Sequence, residues 1–381
     1  MTGDSMHSAS MDALVALSRR YGGDPAWLLA GGGNTSYKDG STLLIKASGK
    51  ALATIGSDGF CAMDRTRLAA MWSREYPADS DARETAVLAD LMEARHPGQT
   101  GRPSVETLMH DLFPQAYVVH THPGLVNGLT CGRDGEARFQ ELFRDEGVWV
   151  PCVDPGLVLA RAVRTAVENF RRRTGRLPDL MFMQNHGLLV AADTPEGIDE
   201  ISGRVFSRLQ AELGRKPDRS PGAVPVAALA EATSRIAANL PADSYIAHRA
   251  DADILRFAAS RQAFEPLSSS FSPDHIVYSG HEFLYAEGPG AIDAAWKSYR
   301  ERNGAEPRVV VVAGVGAYTF ASSPGAAETA MAFLKDACDV AVYAESFGGA
   351  LHMAKERIDF IRTWEVERYR ARASLGAGEV K

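Results

Sequence analysis

The sequence predicts an α/β protein of two domains, and three observations carry that expectation. Strand-like and helix-like apolar patterns alternate along the first two hundred residues. The chain has 381 residues, and at roughly 150 residues per domain that is too long for a single small core. Around 214–226 the composition turns to Lys, Pro, Asp, Ser and Gly, which suits a link between packed units. The expected domains are 1–222 and a smaller α/β domain, 223–381.

In chain order, Met11 to Tyr21 has amphipathic helical spacing, Gly31 to Gly33 makes a turn, and Thr42 to Ala47 reads as a strand. Asp81 to Ala94 repeats Ala, Val, Leu and Met at helical intervals, and Ser104 is expected to open a further helix that ends at Pro114. Tyr117 to Thr121 is β-branched and aromatic between Pro114 and Pro123, so it reads as a strand. Leu180–Met183 and Leu188–Ala191 form a strand pair around Asn185-His186-Gly187, and a helix is expected from Pro195 to Leu213. Beyond the link, Val309 to Val315 reads as a buried strand, Pro324 to Val342 as a long helix, and Phe347 to Arg372 as one or two more. No internal repeat is legible.

Composition excludes several classes. Forty-one basic against 48 acidic residues give a net charge of −7, and no basic domain or stripe invites nucleic acid. The longest apolar stretch lies far below the ~20 residues of a bilayer span, and the first twenty residues lack the apolar core of a signal peptide. A cytoplasmic protein without membrane partner is therefore expected. Cys61, Cys131, Cys152 and Cys338 are far apart and lack Cys-x-x-Cys spacing, so they read as reduced core thiols.

The chemistry begins at His120-Thr-His122. Alternation along a strand puts both imidazoles on one face. His186, in the turn between the apolar strand segments Leu180–Met183 and Leu188–Ala191, is a third candidate nitrogen, with Gly187 expected to permit an unusual backbone angle. Three histidines with an open position suit a catalytic zinc, or another divalent metal. Taken alone, a His-x-His on a strand is more often packing. Gly31-Gly-Gly-Asn-Thr-Ser36, Ser48-Gly49-Lys50 and Pro103-Ser-Val-Glu106 are small, polar segments able to cradle an anion, Ser104 through the helix it is expected to start. Glu106 is either a helix-dipole partner or a carboxylate beside the metal that serves as ligand and base.

The order Gly-Asn-x-Ser, Ser-Gly, Pro-Ser-x-Glu, His-x-His and Asn-His-Gly, from Leu28 to Gly197, resembles the class II aldolase/adducin family. The resemblance implies a three-layer α/β/α catalytic domain. His120, His122 and His186 would be metal ligands, Glu106 the carboxylate that binds the resting metal and then acts as base, and Gly33, Asn34, Ser48, Gly49 and Ser104 the phosphate pocket. It further implies a homotetramer, a small sugar phosphate as substrate, and aldol cleavage through an enediolate, a lyase of carbohydrate metabolism. Glu106 favours cleavage, because the related epimerases tend to carry Asp there. Val105 departs from the family's usual second serine, which weakens the phosphate pocket; Lys50 is a nearby cation. Decarboxylation or epimerisation on the same site, and a non-catalytic adducin-like interaction module, are the alternatives.

Ser272-Pro-Asp-His-Ile-Val-Tyr278, Gly314-Val-Gly316 and Phe360 to Arg370 resemble the segment after the aldolase unit in rhamnulose-1-phosphate aldolase/alcohol dehydrogenase fusion proteins. The dehydrogenase part of those fusions is not expected here, since the chain stops at Lys381. Gly314-Val-Gly316 lacks the third glycine of a dinucleotide fingerprint and reads as a tight turn. Asp274-His275 reads as a structural hydrogen-bonded pair, and Trp364 and Tyr369 as a packed helical face.

Overall fold

A computed structural model describes residues 3–364 of the chain. They form two compact units: one holds residues up to Val126 and Glu136–Ala211, the other Asn127–Gly135 and Glu212–Thr363. The Lys/Pro/Asp-rich stretch that reads as a linker packs on the second unit. Gly222 donates its N–H to Ala250 at 2.7 Å, Ser220 accepts from Ala252, and Arg215 pairs with buried Asp253 at 2.8 Å.

The first unit is a three-layer α/β/α domain around a seven-stranded sheet, ordered β3-β2-β1-β4-β7-β6-β5. Its strands are β1 Asn34–Asp39, β2 Thr42–Lys46, β3 Phe60–Asp64, β4 Tyr117–Thr121, β5 Gly147–Val150, β6 Leu180–Met183 and β7 Gly187–Ala192. On one face, the helices Ser80–Glu93, Thr107–Asp111 and Leu157–Thr174 bury apolar side chains against Leu43, Ile45, Val118, Met181 and Leu189. The helix Gly3–Gly22 covers the opposite face, because its Ser18 meets Thr35 while Ser36, one residue on and so reversed in direction, meets His110 of the 107–111 helix. The helix Pro195–Ala211 joins it there through Asp199, which accepts from Tyr21.

The second unit is a four-stranded sheet, β8-β11-β10-β9, from β8 Tyr245–Arg249, β9 Leu284–Ala286, β10 Val309–Val312 and β11 Gly316–Ala321. Val309 and Val311 enter one core with the helix Pro324–Ala344, and Val310 and Val312 enter another with Trp296 and Ile292 of the helix Ile292–Asn303. Four valines in a row therefore bury both faces of one strand, which is why the run shows no polar alternation.

This sheet repeats half of the first. β9 runs parallel to β10 as β5 does to β6, each pair continues into an antiparallel hairpin, and β8 lies on β11 as β4 lies on β7. The hairpin loops, 184–186 and 313–315, have equal length, and their middle residues, Asn185 and Gly314, are left-handed at φ +56° and +70°. The preceding helices both end on a left-handed glycine, Gly175 and Gly304, and the following ones both open on proline, Pro195 and Pro324. An internal repeat is thus present although none is legible in the sequence. Glycine and proline positions that constrain the backbone match, while the side chains between them differ.

Other differences from the sequence reading are local. The helix expected from Ser104 begins at Thr107 and has five residues; Ser104 Oγ instead accepts the N–H of Glu106 at 3.2 Å and its carbonyl that of Thr107. Its predicted place at a helix dipole is lost, since so short a helix carries little macrodipole. Gly314-Val-Gly316 is the β10–β11 turn and leads into a strand, so it opens no nucleotide-binding helix. His275 Nδ1 lies 2.8 Å from Ser272 Oγ, and its Nε2 lies 3.3 Å from Asp336. None of the four cysteines is in a disulfide; three are buried and Cys152 is half-buried. A helix spans Lys355–Thr363, and Trp364 is buried; the expected helical stretch beyond it, with Tyr369, lies outside the described residues. Among the described residues no helix is long and apolar enough to cross a membrane.

Candidate metal centre

Two segments far apart in the chain meet at the C-terminal end of β4. His120 lies within β4 and His122 just past its end. His186 closes the β6–β7 loop, its N–H donated to Met183. The register does the rest: β7 pairs β4 with Leu189 opposite His120 and Leu188 opposite Thr121, so the loop residue His186 arrives beside both histidines. Asn185, not Gly187, holds the left-handed angle of this loop. Gly187 has another task, because a Cβ there would sit 2.4 Å from the Thr121 carbonyl and 2.8 Å from the His122 ring. No side chain fits where the two strands close together.

The Nε2 atom of His120 lies 3.0 Å from that of His122 and 3.3 Å from that of His186. One candidate ligand atom from each ring falls within 4.8 Å of the others. His120 Nδ1 is 2.9 Å from the Leu188 carbonyl, so its proton belongs there and the Nε2 lone pair faces the other rings. Lone pairs converging at this distance repel unless a cation or proton lies among them. Zn–N bonds of about 2.0–2.1 Å in a tetrahedral shell bring ligand nitrogens to roughly 3.3 Å of one another. The donor set and its spacing therefore fit a divalent metal.

Glu106 completes the cluster. Its Oε1 is 3.5 Å from His186 Nε2 and 3.7 Å from His120 Nε2. Its Oε2 accepts a hydrogen bond from Asn34 Nδ2. Asn34 is opposite His120 in the β1–β4 register, so their side chains share a face. Burial alone would raise the Glu106 carboxyl; the facing His120 and His186 and the Asn34 amide outweigh it and hold the group at about 2.

The residues expected to receive a phosphate gather at the neighbouring strand ends. Gly33 is left-handed at φ +60°, and a Cβ there would strike the His120 carbonyl at 2.6 Å. The Ser48–Gly49 turn is brought beside Ser104 by an isolated bridge between Ala47 and Pro103 and by the Ser48 N–H donated to Arg102 at 2.7 Å. Asn34 Nδ2 is 3.4 Å from Ser104 Oγ, besides its bond to Glu106. Lys50 is half-exposed with Asp58 3.8 Å away.

Two residues here escaped the sequence reading. Lys46 is buried at the end of β2 and donates to the carbonyls of Gly33, at 3.0 Å, and Gly31, at 3.4 Å, so an ammonium pins the glycine loop from below. His110 is fully buried with Ser36 Oγ 2.8 Å from its Nδ1, and burial pushes its imidazole well below the usual range. The available signals were a lysine inside an apolar strand and a histidine four residues after Glu106.

Residues 12–197 match the model of the class II aldolase and adducin N-terminal domain. The first unit carries a class II aldolase and adducin N-terminal domain. A curated relative, an uncharacterized oxidoreductase named YuxG of Bacillus subtilis (strain 168), is 25% identical over 419 residues, which cover 94% of this chain and 58% of that protein. The chain thus spans little more than half the length of the curated relative, in keeping with the resemblance to longer fusion proteins. Among solved structures, the N-terminal class II aldolase domain of a conserved protein from Thermoplasma acidophilum is 28% identical with a TM-score of 0.45, over 53% of this chain and 92% of that one. An L-fuculose-1-phosphate aldolase from Thermus thermophilus is 18% identical with a TM-score of 0.33, over 53% of this chain and 94% of that one.

Proposed function

We propose that this chain is a metal-dependent aldolase that cleaves a ketose 1-phosphate of the rhamnulose or fuculose type to dihydroxyacetone phosphate and a short aldehyde. The observation that carries the reading is the convergence of His120, His122 and His186 beside one ionised carboxylate. A scaffold protein of the same fold has no need of such a cluster, and leaving those lone pairs facing one another costs stability.

His120, His122 and His186 would hold the metal, with zinc the first choice for three imidazoles. When bound it supplies a Lewis acid that stabilises the negative charge developing on the ketose oxygens, and no Schiff-base lysine is then required. Glu106 does the proton work. In the condensation direction its carboxylate, turned away from the imidazoles, takes a proton from the hydroxymethyl carbon of dihydroxyacetone phosphate; that carbon then bonds to the aldehyde carbon, whose oxygen takes up a proton from solvent. In cleavage the hydroxyl beside the breaking bond gives its proton to solvent, the carbon–carbon bond breaks, and Glu106, protonated from solvent, passes its proton to the three-carbon product. Asn34 orients Glu106 through its amide N–H. The glycine loop at Gly33, the Ser48–Gly49 turn and Ser104 would receive the phosphate, with Lys46 fixing the loop's carbonyls away from it. The family resemblance suggests a homotetramer.

The test is aldehyde release from rhamnulose-1-phosphate and fuculose-1-phosphate, with metal analysis of the same protein. Near-stoichiometric zinc and activity abolished by a chelator are expected. Full activity after complete metal removal would overturn the reading.

A further inference from the structure

The Glu106–His110 pair holds an unexplained polar group. His110 is fully buried, and its Nδ1 is taken by Ser36 Oγ at 2.8 Å. Its Nε2 is buried and has no hydrogen-bond partner. Leaving such an atom unpaired typically costs about 1–3 kcal/mol, so its retention beside a reactive cluster calls for a reason. Glu106 stands four residues earlier, and the His110 N–H closes the intervening turn on the Glu106 carbonyl at 3.1 Å. Side chains so spaced lie on one helical face within reach of each other. Yet both carboxylate oxygens point elsewhere here, Oε2 to Asn34 and Oε1 to His120 and His186.

We propose that His110 is the positioning residue for the second state of Glu106: when the carboxylate swings off the three imidazoles, His110 Nε2–H donates to one of its oxygens and leaves the other facing the substrate carbon. The inference rests on the reading above, in which Glu106 leaves the cluster to act as base. The 2.8 Å contact between Ser36 Oγ and His110 Nδ1 lets the hydroxyl donate; with it donating, the single proton of the neutral ring sits on Nε2. The burial that disfavours the charged imidazole keeps it a neutral donor. Without this bond a freed carboxylate would sample many rotamers, and proton transfer needs one.

The two states can be separated without turnover. Zinc affinity reports the resting arrangement, and the affinity of the zinc-loaded protein for acetohydroxamate, a bidentate oxygen chelator that competes with Glu106, reports the displaced one. His110→Asn keeps an acceptor near the Nδ1 position, its Oδ1, and deletes Nε2. It should bind zinc within about twofold of wild type but acetohydroxamate about tenfold more weakly, with kcat falling and KM little changed. His110→Gln, which returns an N–H near Nε2, should recover most of both losses. Should His110→Asn fail to fold, Ser36→Ala, which releases Nδ1 to take the proton, should give the same pattern. Unchanged hydroxamate affinity, or a zinc affinity that falls as far as the hydroxamate affinity, would overturn the proposal. A wild-type protein that binds zinc and hydroxamate but cleaves no ketose phosphate would instead count against the reading of function alone.

Discussion

The stretch from β4 to the 195–211 helix and the stretch from β8 to the 324–344 helix hold their hairpins in the same register, and only the first gathers three imidazoles. His120 faces Leu189 across the β4–β7 pair; at the matching place, His248 faces Tyr318 across the β8–β11 pair. The loop residue before the second hairpin strand is His186 in one and Val315 in the other, and the residue two past the strand histidine is His122 in one and Ala250 in the other. The histidine of the second unit also works differently. His120 ties down its Nδ1 and leaves Nε2 toward its neighbours, whereas His248 has Nε2 2.9 Å from the Val315 carbonyl. One imidazole on this scaffold serves as a backbone tie; three with a carboxylate offer the donor set of a cation site. The same backbone thus supports packing or chemistry, depending on two or three loop-proximal side chains.

The strongest test of that contrast removes one histidine from each copy. His186→Ala is expected to weaken zinc binding by more than about 100-fold, beyond the loss typical of changes outside the ligand shell, and to abolish turnover. His248→Ala should change neither and lower stability by about 1 kcal/mol for its lost hydrogen bond. Equilibrium dialysis with zinc and urea denaturation measure both; loss of zinc from the His248 variant would erase the distinction.

A smaller effect probes the shared backbone. At Gly187 and Gly316 a Cβ would lie 2.4 Å from a carbonyl of the neighbouring strand, that of Thr121 or of Arg249, and Gly316 is also left-handed at φ +114°. Alanine at Gly187 should cost about 2–4 kcal/mol, and at Gly316 about 1–2 kcal/mol more for the added strain. Denaturant midpoints of the two variants give the comparison, which sharpens if only Gly187→Ala also lowers zinc affinity through the displaced His122 ring.

The gentlest test uses pH, because each unit buries ionisable groups whose titration is displaced, among them Lys38 and Asp339. In the first, burial pushes Lys38 from 10.5 down to about 7, partly offset by Asp111. The folded state then binds fewer protons than the unfolded chain between about pH 7 and 10.5, so this group makes stability rise with pH there. In the second, burial pushes Asp339 from 3.8 up to about 6 against the pull of Arg219. Here the folded state binds more protons between about pH 4 and 6, and stability falls as pH rises. Each slope is at most about 1.4 kcal/mol per pH unit. Lys38→Met should flatten the alkaline slope and Asp339→Asn the acidic one, read from urea denaturation at several pH values. A shared slope lost in both variants would contradict the assignment.

Much of this was legible beforehand. Tyr117–Thr121, the strand pair around His186, and the helices after Pro195 and Pro324 fall within a few residues of their expected places, because apolar periodicity and proline act locally. Ser104 does not open the helix expected of it: the turn it makes with Glu106 comes from a hydroxyl competing for a backbone N–H, an outcome that helix-start spacing does not distinguish from a cap. The repeat is not legible in the sequence because its matching positions are glycines, a proline and a register, too few identities to mark it.

Alternation of side chains within one short strand was enough to put His120 and His122 on a common face, and a turn flanked by two strands was enough to present His186 at an end of a sheet. Which ends meet was another matter. The β1–β4 and β4–β7 registers bring Asn34 and His186 to His120, the Ala47–Pro103 bridge brings Ser48 to Ser104, and the turn at 104–106 aims Glu106 at the imidazoles above a buried His110. Periodicity acts over a few neighbouring residues, whereas distances between segments a hundred residues apart come from interstrand hydrogen bonds and core packing, which exist only once the sheet has closed.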